Sequence, residues 1–184
     1  MFAKLTALYD FVDQTVQTVH DRYPTEVKCR PGCADCCHAL FDISFIEAAR
    51  LAAFLVEHKE IITEQRQRAN EAACQFERLM TENSDPSTAR VRCPLLSDSN
   101  LCLAHEVRPI NCRTYGTPTE IDGKAHVCGL SGFTGSTHYP TVKLEPLQQS
   151  LTSYSKELVG PTFGARRFPI AWVILKTSFF LPSS

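Results

Sequence analysis

The sequence predicts a mainly α fold: a single helical domain whose loops and small β-hairpins gather around a cysteine-rich metal centre. Three observations favour it. Apolar residues recur every three or four positions over much of residues 2–80, which is the helical period. The cysteines fall mainly in the short stretches between such segments, beside turn-forming residues. At 184 residues the chain has the length of one domain, so we expect a single domain over 1–184.

Composition excludes several classes of function. Hydrophobic residues make up 43% of the chain and its net charge is −1, with no basic cluster of the kind that binds nucleic acid. The apolar run 168–181 is interrupted by Lys176 and is too short to span a bilayer. The first ten residues lack the features of a signal peptide. Nine crowded cysteines argue against a disulfide framework. We therefore expect a soluble cytoplasmic protein that binds neither nucleic acid nor membrane.

The first predicted helix lies over residues 2–23, where the apolar side chains form one stripe. Pro24 ends it, because proline disfavours helical backbone in the residue before it. We expect the stripe to lie over the core beside the segment that follows.

That next segment packs four thiols into nine residues: Cys29, Cys33, Cys36 and Cys37. Pro31 and Gly32 predict a turn between the first two thiols. A helical turn after it would bring Cys33 onto one face with Cys36 and Cys37. Thiolates are soft ligands suited to zinc, iron and iron–sulfur clusters, so the segment predicts a metal-binding loop.

Two further helices are predicted in the first half. Ser44 and Glu47 form a capping-box pattern, which opens a helix ending near Lys59. A third helix is expected from about Thr63 to Met80. Its inward positions are Ala69, Ala72, Ala73, Phe76 and Met80. The charged positions, Arg68 among them, predict a solvated face. Cys74 lies away from the apolar stripe and is left out of the ligand set.

The second half alternates turns with short elements. A loop is expected over 83–87, then a hairpin over 93–102 that brings its two end cysteines together. Residues 108–116 predict one short helical turn. The Asp-Gly pair within 121–125 predicts a second hairpin, which positions Cys128. Residues 129–140 should be irregular.

Two elements are predicted at the end of the chain. Pro146 sits as an early residue of a helix that Gly160 closes. A last short helix or strand over 169–177 should place Trp172 in the core.

With both cysteine groups in view, the sequence resembles the CxxCxxCC, or YkgJ-like, family of cysteine-cluster proteins. The matching motifs are Cys29-x3-Cys33-x2-Cys36-Cys37, the Cys93-Pro-Leu and Leu-Cys102 pair, Arg108-Pro-x-x-Cys112-Arg113, and Cys128. The resemblance spans about residues 29–130 and implies chelation of zinc or iron, with the purpose of the metal undefined. His105 departs from the aromatic residue expected there, and whether it is a ligand stays open.

The candidate metal ligands are eight cysteines: Cys29, Cys33, Cys36, Cys37, Cys93, Cys102, Cys112 and Cys128. Their spacing leaves open how they divide between one site and two. It also leaves the metal open, because zinc and iron both accept all-thiolate shells.

Three hypotheses follow for function. The first is a metal-stapled structural or interaction module, since closed four-thiolate zinc sites are structural. The second is an iron–sulfur protein acting in redox chemistry, or as part of a cluster-dependent enzyme, with an unknown protein partner. Here Cys37 offers a fourth ligand beside the C-x3-C-x2-C spacing. The third, weaker hypothesis is metal-free thiol chemistry at the Cys36–Cys37 pair.

Three side chains are candidates for the surroundings of the metal. Arg108 and Arg113 could donate N–H groups to sulfur, or form ordinary surface salt bridges. His38 could replace a thiol ligand, but a hydrogen bond beside the cluster fits it better, and His126 is interpreted in the same way. His20 and His58 are expected at the surface or at helix ends. No catalytic motif is present, so the catalytic residues are unknown and enzyme status depends on the metal.

Overall fold

The computed structural model describes residues 1–82, 89–134 and 137–181. The predicted loop at 83–87 lies within the gap 83–88, outside the described residues. The helices are α1 Ala3–Arg22, α2 Phe45–Glu57, α3 Lys59–Thr81, α4 Ile110–Thr114, α5 Leu144–Val159, α6 Pro161–Gly164, α7 Ile170–Leu175 and α8 Thr177–Phe180. The strands are β1 Asp42–Ser44, β2 Thr119–Ile121, β3 Lys124–His126, β4 Val142–Lys143 and β5 Arg167–Pro169. The fold is mainly α with small β elements, as predicted.

The apolar stripe of α1 packs as expected. Its buried residues are Leu5, Tyr9, Val12, Val16 and Val19. They form a small core with α4 and α5, whose stripe includes the buried Leu147 and Leu151. Burial of this face holds α1 against α4, the element that carries Cys112.

The capping box of α2 is confirmed. The Ser44 hydroxyl accepts from the Glu47 backbone N–H, and the Glu47 carboxylate accepts from the Ser44 N–H at 3.0 Å. Almost every side of α2 is buried, because α3, α5, α7 and α8 pack around it. It is the central helix of the larger core.

The third helix starts four residues earlier than predicted, at Lys59 rather than Thr63, because its first turn follows α2 directly through His58. Met80 was expected to face inward and is 41% exposed. Leu79 packs against the core there instead.

Arg68 was expected on a solvated face, but it donates to Asp98 at 2.5 Å. It therefore ties α3 to the 93–102 segment.

Two small sheets join distant parts of the chain. Strands β1 and β5 pair antiparallel, with Ile43 opposite Phe168. The second sheet has the order β3-β2-β4. Its β2–β3 hairpin turns at Asp122 and Gly123, both with positive φ (50° and 69°), as the Asp-Gly pair predicted. The parallel β2–β4 pairing leads directly into α5.

Most elements predicted for the second half of the chain also form, but the prediction for Trp172 is wrong. The 93–102 segment folds back through an antiparallel bridge between Leu96 and Cys102, and Gly160 ends α5 with a positive φ of 82°. Residues 170–175 form a helix, α7, but Trp172 is only half-buried because its neighbours Ala171, Val173 and Ile174 fill the core.

Among the described residues, no helix has the length and apolar character needed to cross a membrane.

Candidate metal centre

All eight candidate cysteines line one cavity of about 580 Å³, which we call the cysteine cavity. The ninth, Cys74, does not line it and is exposed on α3. The structure thus brings together thiols up to about a hundred residues apart in sequence. Whether these thiols are ligands stays a prediction.

Local hydrogen bonds shape the first cysteine group. The predicted turn forms at Pro31 and Gly32, with the Cys33 N–H donating to Arg30 O at 2.9 Å and Gly32 at a φ of 88°. A short 3-10 helix, Asp35–Cys37, follows and presents Cys36 and Cys37. Cys33 precedes this helix, so the helical face predicted for all three thiols does not form.

The second cysteine group is tied to the first through the backbone. The Cys93 N–H donates to Cys37 O at 2.7 Å, and the Val91 N–H donates to His38 O at 3.0 Å. A bridge between Ala39 and Arg90 extends this antiparallel pairing. Cys93 is therefore fixed next to Cys37 although the two lie far apart in sequence.

Three thiols from the two groups make direct contact. The Cys37 thiol hydrogen bonds to Cys36 and to Cys102, and this lowers the pKa of each of these two to about 7. The same contacts raise the pKa of Cys37. Thiolates thus form most readily at Cys36 and Cys102, and the thiolate is the form that binds metal.

Burial acts in the opposite direction on four further thiols. It raises the pKa of Cys29 to about 11 and that of Cys93 to about 12. It also raises the pKa of Cys112 and Cys128. Without a cation these four thiols stay protonated at neutral pH, so binding a metal there would release protons.

Backbone amides point at three of the sulfurs. Cys93 accepts from the backbone of Leu95, and Cys102 accepts from that of Ala104. The Leu130 N–H donates to Cys128 Sγ at 3.4 Å. In each case the amide lies two residues after the cysteine. Such donors favour a negatively charged sulfur, so the loops suit thiolate ligands.

Asp35 is a residue of the site that the sequence did not single out. Burial raises its pKa, but hydrogen bonds from Arg90, Tyr115 and Cys128 outweigh this and the pKa is lowered. The Tyr115 hydroxyl donates to Asp35 Oδ2 at 2.9 Å, and the Cys128 thiol donates to the same oxygen at 3.3 Å. Asp35 thereby ties Cys128 to the first cysteine group.

Arg113 makes its described contacts with oxygen atoms and an aromatic ring, and its predicted role as a donor to sulfur stays a prediction. Its side chain is only 6% exposed, so it is not a surface salt bridge. It donates to the backbone oxygens of Arg108 and Glu106 at 2.8 and 2.7 Å and to the carboxylate of Asp13, and it lies over the ring of Tyr9. These contacts brace the segment that leads into Cys112 against α1.

Arg108 lines the cavity, and its charge acts on several of the sulfurs there. Its charge contributes to the lowered pKa of Cys36 and Cys102, behind the hydrogen bond from Cys37. One guanidinium nitrogen contacts His105 Nε2, and another lies 4.0 Å from Asp13. Its Nε is buried and has no partner among the described residues.

The structure places the histidines in different surroundings. Nδ1 of His38 lies 2.9 Å from Ala34 O, a hydrogen bond beside the cysteines as expected. His126 is exposed on β3, and His58 caps the end of α2. His20, expected at the surface or a helix end, lines the cysteine cavity with a buried Nε2 that has no partner among the described residues. His20 lies one helical turn after Val16, and this position on the buried stripe of α1 indicated that its side chain faces inward.

The donors in the cavity fit zinc or iron by their chemistry, since soft thiolates and neutral imidazoles are their ligands. Within residues 1–82, 89–134 and 137–181, however, no three His, Cys, Asp or Glu side chains are already arranged to hold a metal ion. Binding of zinc or iron at these residues would therefore require some of the sulfurs to come closer together.

A substitution at Gly116 tests whether Cys29 is a metal ligand. A methyl group on Gly116 would overlap Cys29 Sγ. We expect Gly116→Ala to displace that thiol and to weaken metal binding about tenfold or more while the fold is kept, as measured by competition with a chromophoric chelator and by circular dichroism. Gly129→Ala is the matched control, because a methyl group there meets only open space. Equal affinities would place Cys29 outside the ligand set.

Comparison with known proteins gives a match to a family model. Residues 28–129, more than half of the chain, match the model of the CxxCxxCC family, described as a "putative zinc- or iron-chelating domain". No curated protein and no solved structure gives a significant match. The matched range begins just before Cys29 and ends just after Cys128, so it contains all eight cavity cysteines.

Proposed function

The chain belongs to the CxxCxxCC family, and we propose that it binds zinc or iron through the eight cysteines of the cysteine cavity, as a metal-stabilised structural or interaction module. One observation carries the proposal. The eight cysteines chosen from the sequence line one cavity, and the one left out does not. Unrelated thiols would be expected to scatter over the fold as Cys74 does.

Charge around the cavity supports the proposal. An all-thiolate zinc site carries about two negative charges, which need nearby donors. The backbone amides of Leu95, Ala104 and Leu130 point at sulfur. Arg108 adds a full positive charge. Arg113 is assigned a supporting role through the backbone rather than through sulfur.

A structural role is favoured by where the cysteines lie. The segments 24–41 and 89–118 contain only short helical turns and isolated bridges as regular structure. Structural zinc stabilises zinc-finger peptides by about 10–16 kcal/mol. A bound metal would therefore supply stability that the backbone of these segments lacks.

An iron–sulfur cluster is the second candidate. It is favoured by the hydrogen bonds of the Cys37 thiol with Cys36 and with Cys102, because they bring thiols of both cysteine groups together. Clusters are held by cysteine thiolates at mixed spacings and serve in electron transfer. In that case a protein partner would supply or accept the electrons.

Metal and acid-labile sulfide analysis of anaerobically purified protein tests the proposal. Stoichiometric zinc in a colourless protein supports the structural site. Brown protein with iron and labile sulfide supports the cluster instead. A chain that retains its fold with nine free thiols and no metal would show that both are wrong.

Two serine variants then locate the metal. Cys36→Ser removes a thiol with a pKa of about 7 inside the cavity, and we expect it to lose most of the bound metal. Cys74→Ser changes an exposed thiol outside the cavity and should keep the wild-type metal-to-protein ratio. Metal loss from both variants alike would contradict the ligand set.

A further inference from the structure

The side chains of Asp35 and Cys128 bring together two atoms that can bind a metal. The Cys128 thiol donates to Asp35 Oδ2 at 3.3 Å. Zinc binds carboxylate oxygen at about 2.0–2.2 Å and cysteine sulfur at about 2.3 Å. In a tetrahedral shell, an oxygen and a sulfur at these distances lie about 3.6 Å apart. The two atoms therefore already have nearly the separation of two ligands of one ion.

The backbone holds Cys128 in this place. A turn follows it, in which the Ser131 N–H donates to Cys128 O at 2.9 Å, and the Gly132 N–H then donates to Glu26 O at 2.7 Å. A methyl group on Gly132 would meet the Glu26 backbone at 3.0 Å, so the two segments are closely packed. The contact between Cys128 and Asp35 is thus part of a packed structure, although the two residues are 93 positions apart.

The carboxylate of Asp35 is held in one orientation. The Arg90 guanidinium donates to Oδ1, and the Tyr115 hydroxyl donates to Oδ2 at 2.9 Å. The ring of Tyr115 is itself held edge-on to that of Phe41, with 5.7 Å between the ring centroids. Carboxylates that bind metals are typically fixed by hydrogen bonds of this kind.

Asp35 Oδ2 can bind an ion without losing its other contacts. A carboxylate oxygen offers two lone pairs. In Asp35 Oδ2, one accepts from the Tyr115 hydroxyl and the other from the Cys128 thiol. An ion in place of the thiol proton would use the second lone pair, and the hydrogen bonds from Arg90 and Tyr115 would stay.

The pair lies at the edge of the cysteine cavity. The Asp35 side chain is 14% exposed, and its two partners Cys128 and Tyr115 both line the cavity. An ion bound between Asp35 and Cys128 would therefore border the cavity that the other candidate thiols line. Cys29 is the neighbour best placed to join them, because its sulfur lies against Gly116, the residue after Tyr115.

Charge favours Asp35 as a ligand over a residue that only orients Cys128. A thiol gives up its proton when it binds a metal. The sulfur and the Asp35 carboxylate would then be two negative groups close together, which repel each other. An ion bound by both atoms removes this repulsion, whereas an ion bound by Cys128 alone leaves the carboxylate uncompensated on that side.

We propose that Asp35 is a further metal ligand, binding through Oδ2 the same ion that Cys128 binds. The inference rests on the proposed function, since it takes Cys128 as a ligand. When the ion binds, the Cys128 proton goes to solvent and the ion takes its place. At least one ion in the centre then has a mixed shell of sulfur and carboxylate oxygen in place of an all-thiolate one.

X-ray absorption at the edge of the bound metal tests the inference on the metal-loaded full chain. We expect an oxygen neighbour beside the sulfurs in the wild type. Asp35→Cys should exchange one oxygen neighbour per chain for one sulfur, with the metal content unchanged. Asp42→Cys is the matched control and should keep the wild-type shell, because the Asp42 carboxylate also pairs with an arginine, Arg167 at 2.6 Å, but does not belong to the described lining of the cavity.

Metal affinity gives a second measurement. Asp35→Asn keeps the shape and one acceptor oxygen but not the charge, and we expect it to weaken metal binding about tenfold or more in competition with a chelator. Asp42→Asn should bind metal like the wild type. Affinity alone would not separate a ligand from an orienting residue, whose loss also costs about 10–100-fold, so the neighbour counts in Asp35→Cys carry that distinction.

Three results would overturn the inference: a shell of sulfur alone in the wild type, an oxygen count that Asp35→Cys leaves unchanged, or equal metal affinity in Asp35→Asn and the wild type. Each of these leaves metal binding by the cysteines intact. A wild-type protein that holds no metal would instead contradict the proposed function itself, so the two failures are distinguishable.

Discussion

Removal of the metal by a chelator under reducing conditions is expected to open the cysteine-bearing segments while the helical core stays folded. Residues 24–41 and 89–118 contain no strand and no helix longer than the five residues of α4. The core around α2 is built from buried side chains that do not depend on sulfur. We expect amide hydrogen exchange in the two segments to become about 100-fold faster, a change of about 2.8 kcal/mol, as measured by mass spectrometry.

Helices α2 and α5 are the internal control for that experiment. Their buried residues should keep their protection, because local opening need not unfold the whole domain. The energy available is ample, since a structural zinc site is worth about 10–16 kcal/mol in small peptides. Equal exchange in the cysteine segments with and without metal would show that the metal has no structural role.

Substitution of Glu47 by alanine is expected to cost about 4 kcal/mol of unfolding free energy. Glu47 is 2% exposed, and its carboxylate accepts from the Ser44 N–H at 3.0 Å, the Ser44 hydroxyl at 2.8 Å and the Ile110 N–H at 2.8 Å. Alanine leaves all three donors without this acceptor. Hydrogen bonds to a charged group contribute about 1.5–3 kcal/mol each, and relief of the desolvation penalty of the buried carboxylate offsets part of their loss. Urea denaturation of the metal-loaded protein measures the change.

Glu60→Ala is the matched control. Glu60 also lies in the first turn of a helix, but its side chain is 64% exposed, so its loss should cost well under 1 kcal/mol. Glu47→Gln should fall between the two, because the amide keeps one acceptor oxygen. A Glu47→Ala variant as stable as Glu60→Ala would mean that Glu47 does not link α2 to α4.

The elements that the sequence predicted well are those with local signals. The stripe of α1, the capping box at Ser44 and the Asp122–Gly123 turn each depend on residues within a few positions of one another. Thiol chemistry and the family resemblance also selected the eight cysteines that line the cavity. Their roles as ligands, and their division between sites, stay predictions.

The spacing of residues in the sequence could not predict contacts between distant segments. The Glu47–Ile110 bond joins residues 63 apart, and the Arg113–Asp13 contact joins residues 100 apart. His20 enters the cavity only because α1 packs on α4. Met80 continued the helical stripe in sequence, but the core accepts Leu79 instead. Each of these depends on tertiary packing, which local patterns do not encode.

The pairing of β1 with β5 has a consequence for biosynthesis. Asp42 and Arg167 are 125 residues apart, and ribosomes add roughly 5–20 residues per second. The four thiols of residues 29–37 are therefore synthesised roughly 7–28 seconds before Arg167 in the partner strand of β1. During that interval the residues after β5 that complete the lining of the cysteine cavity, such as Ile170 and Ala171, are not yet present.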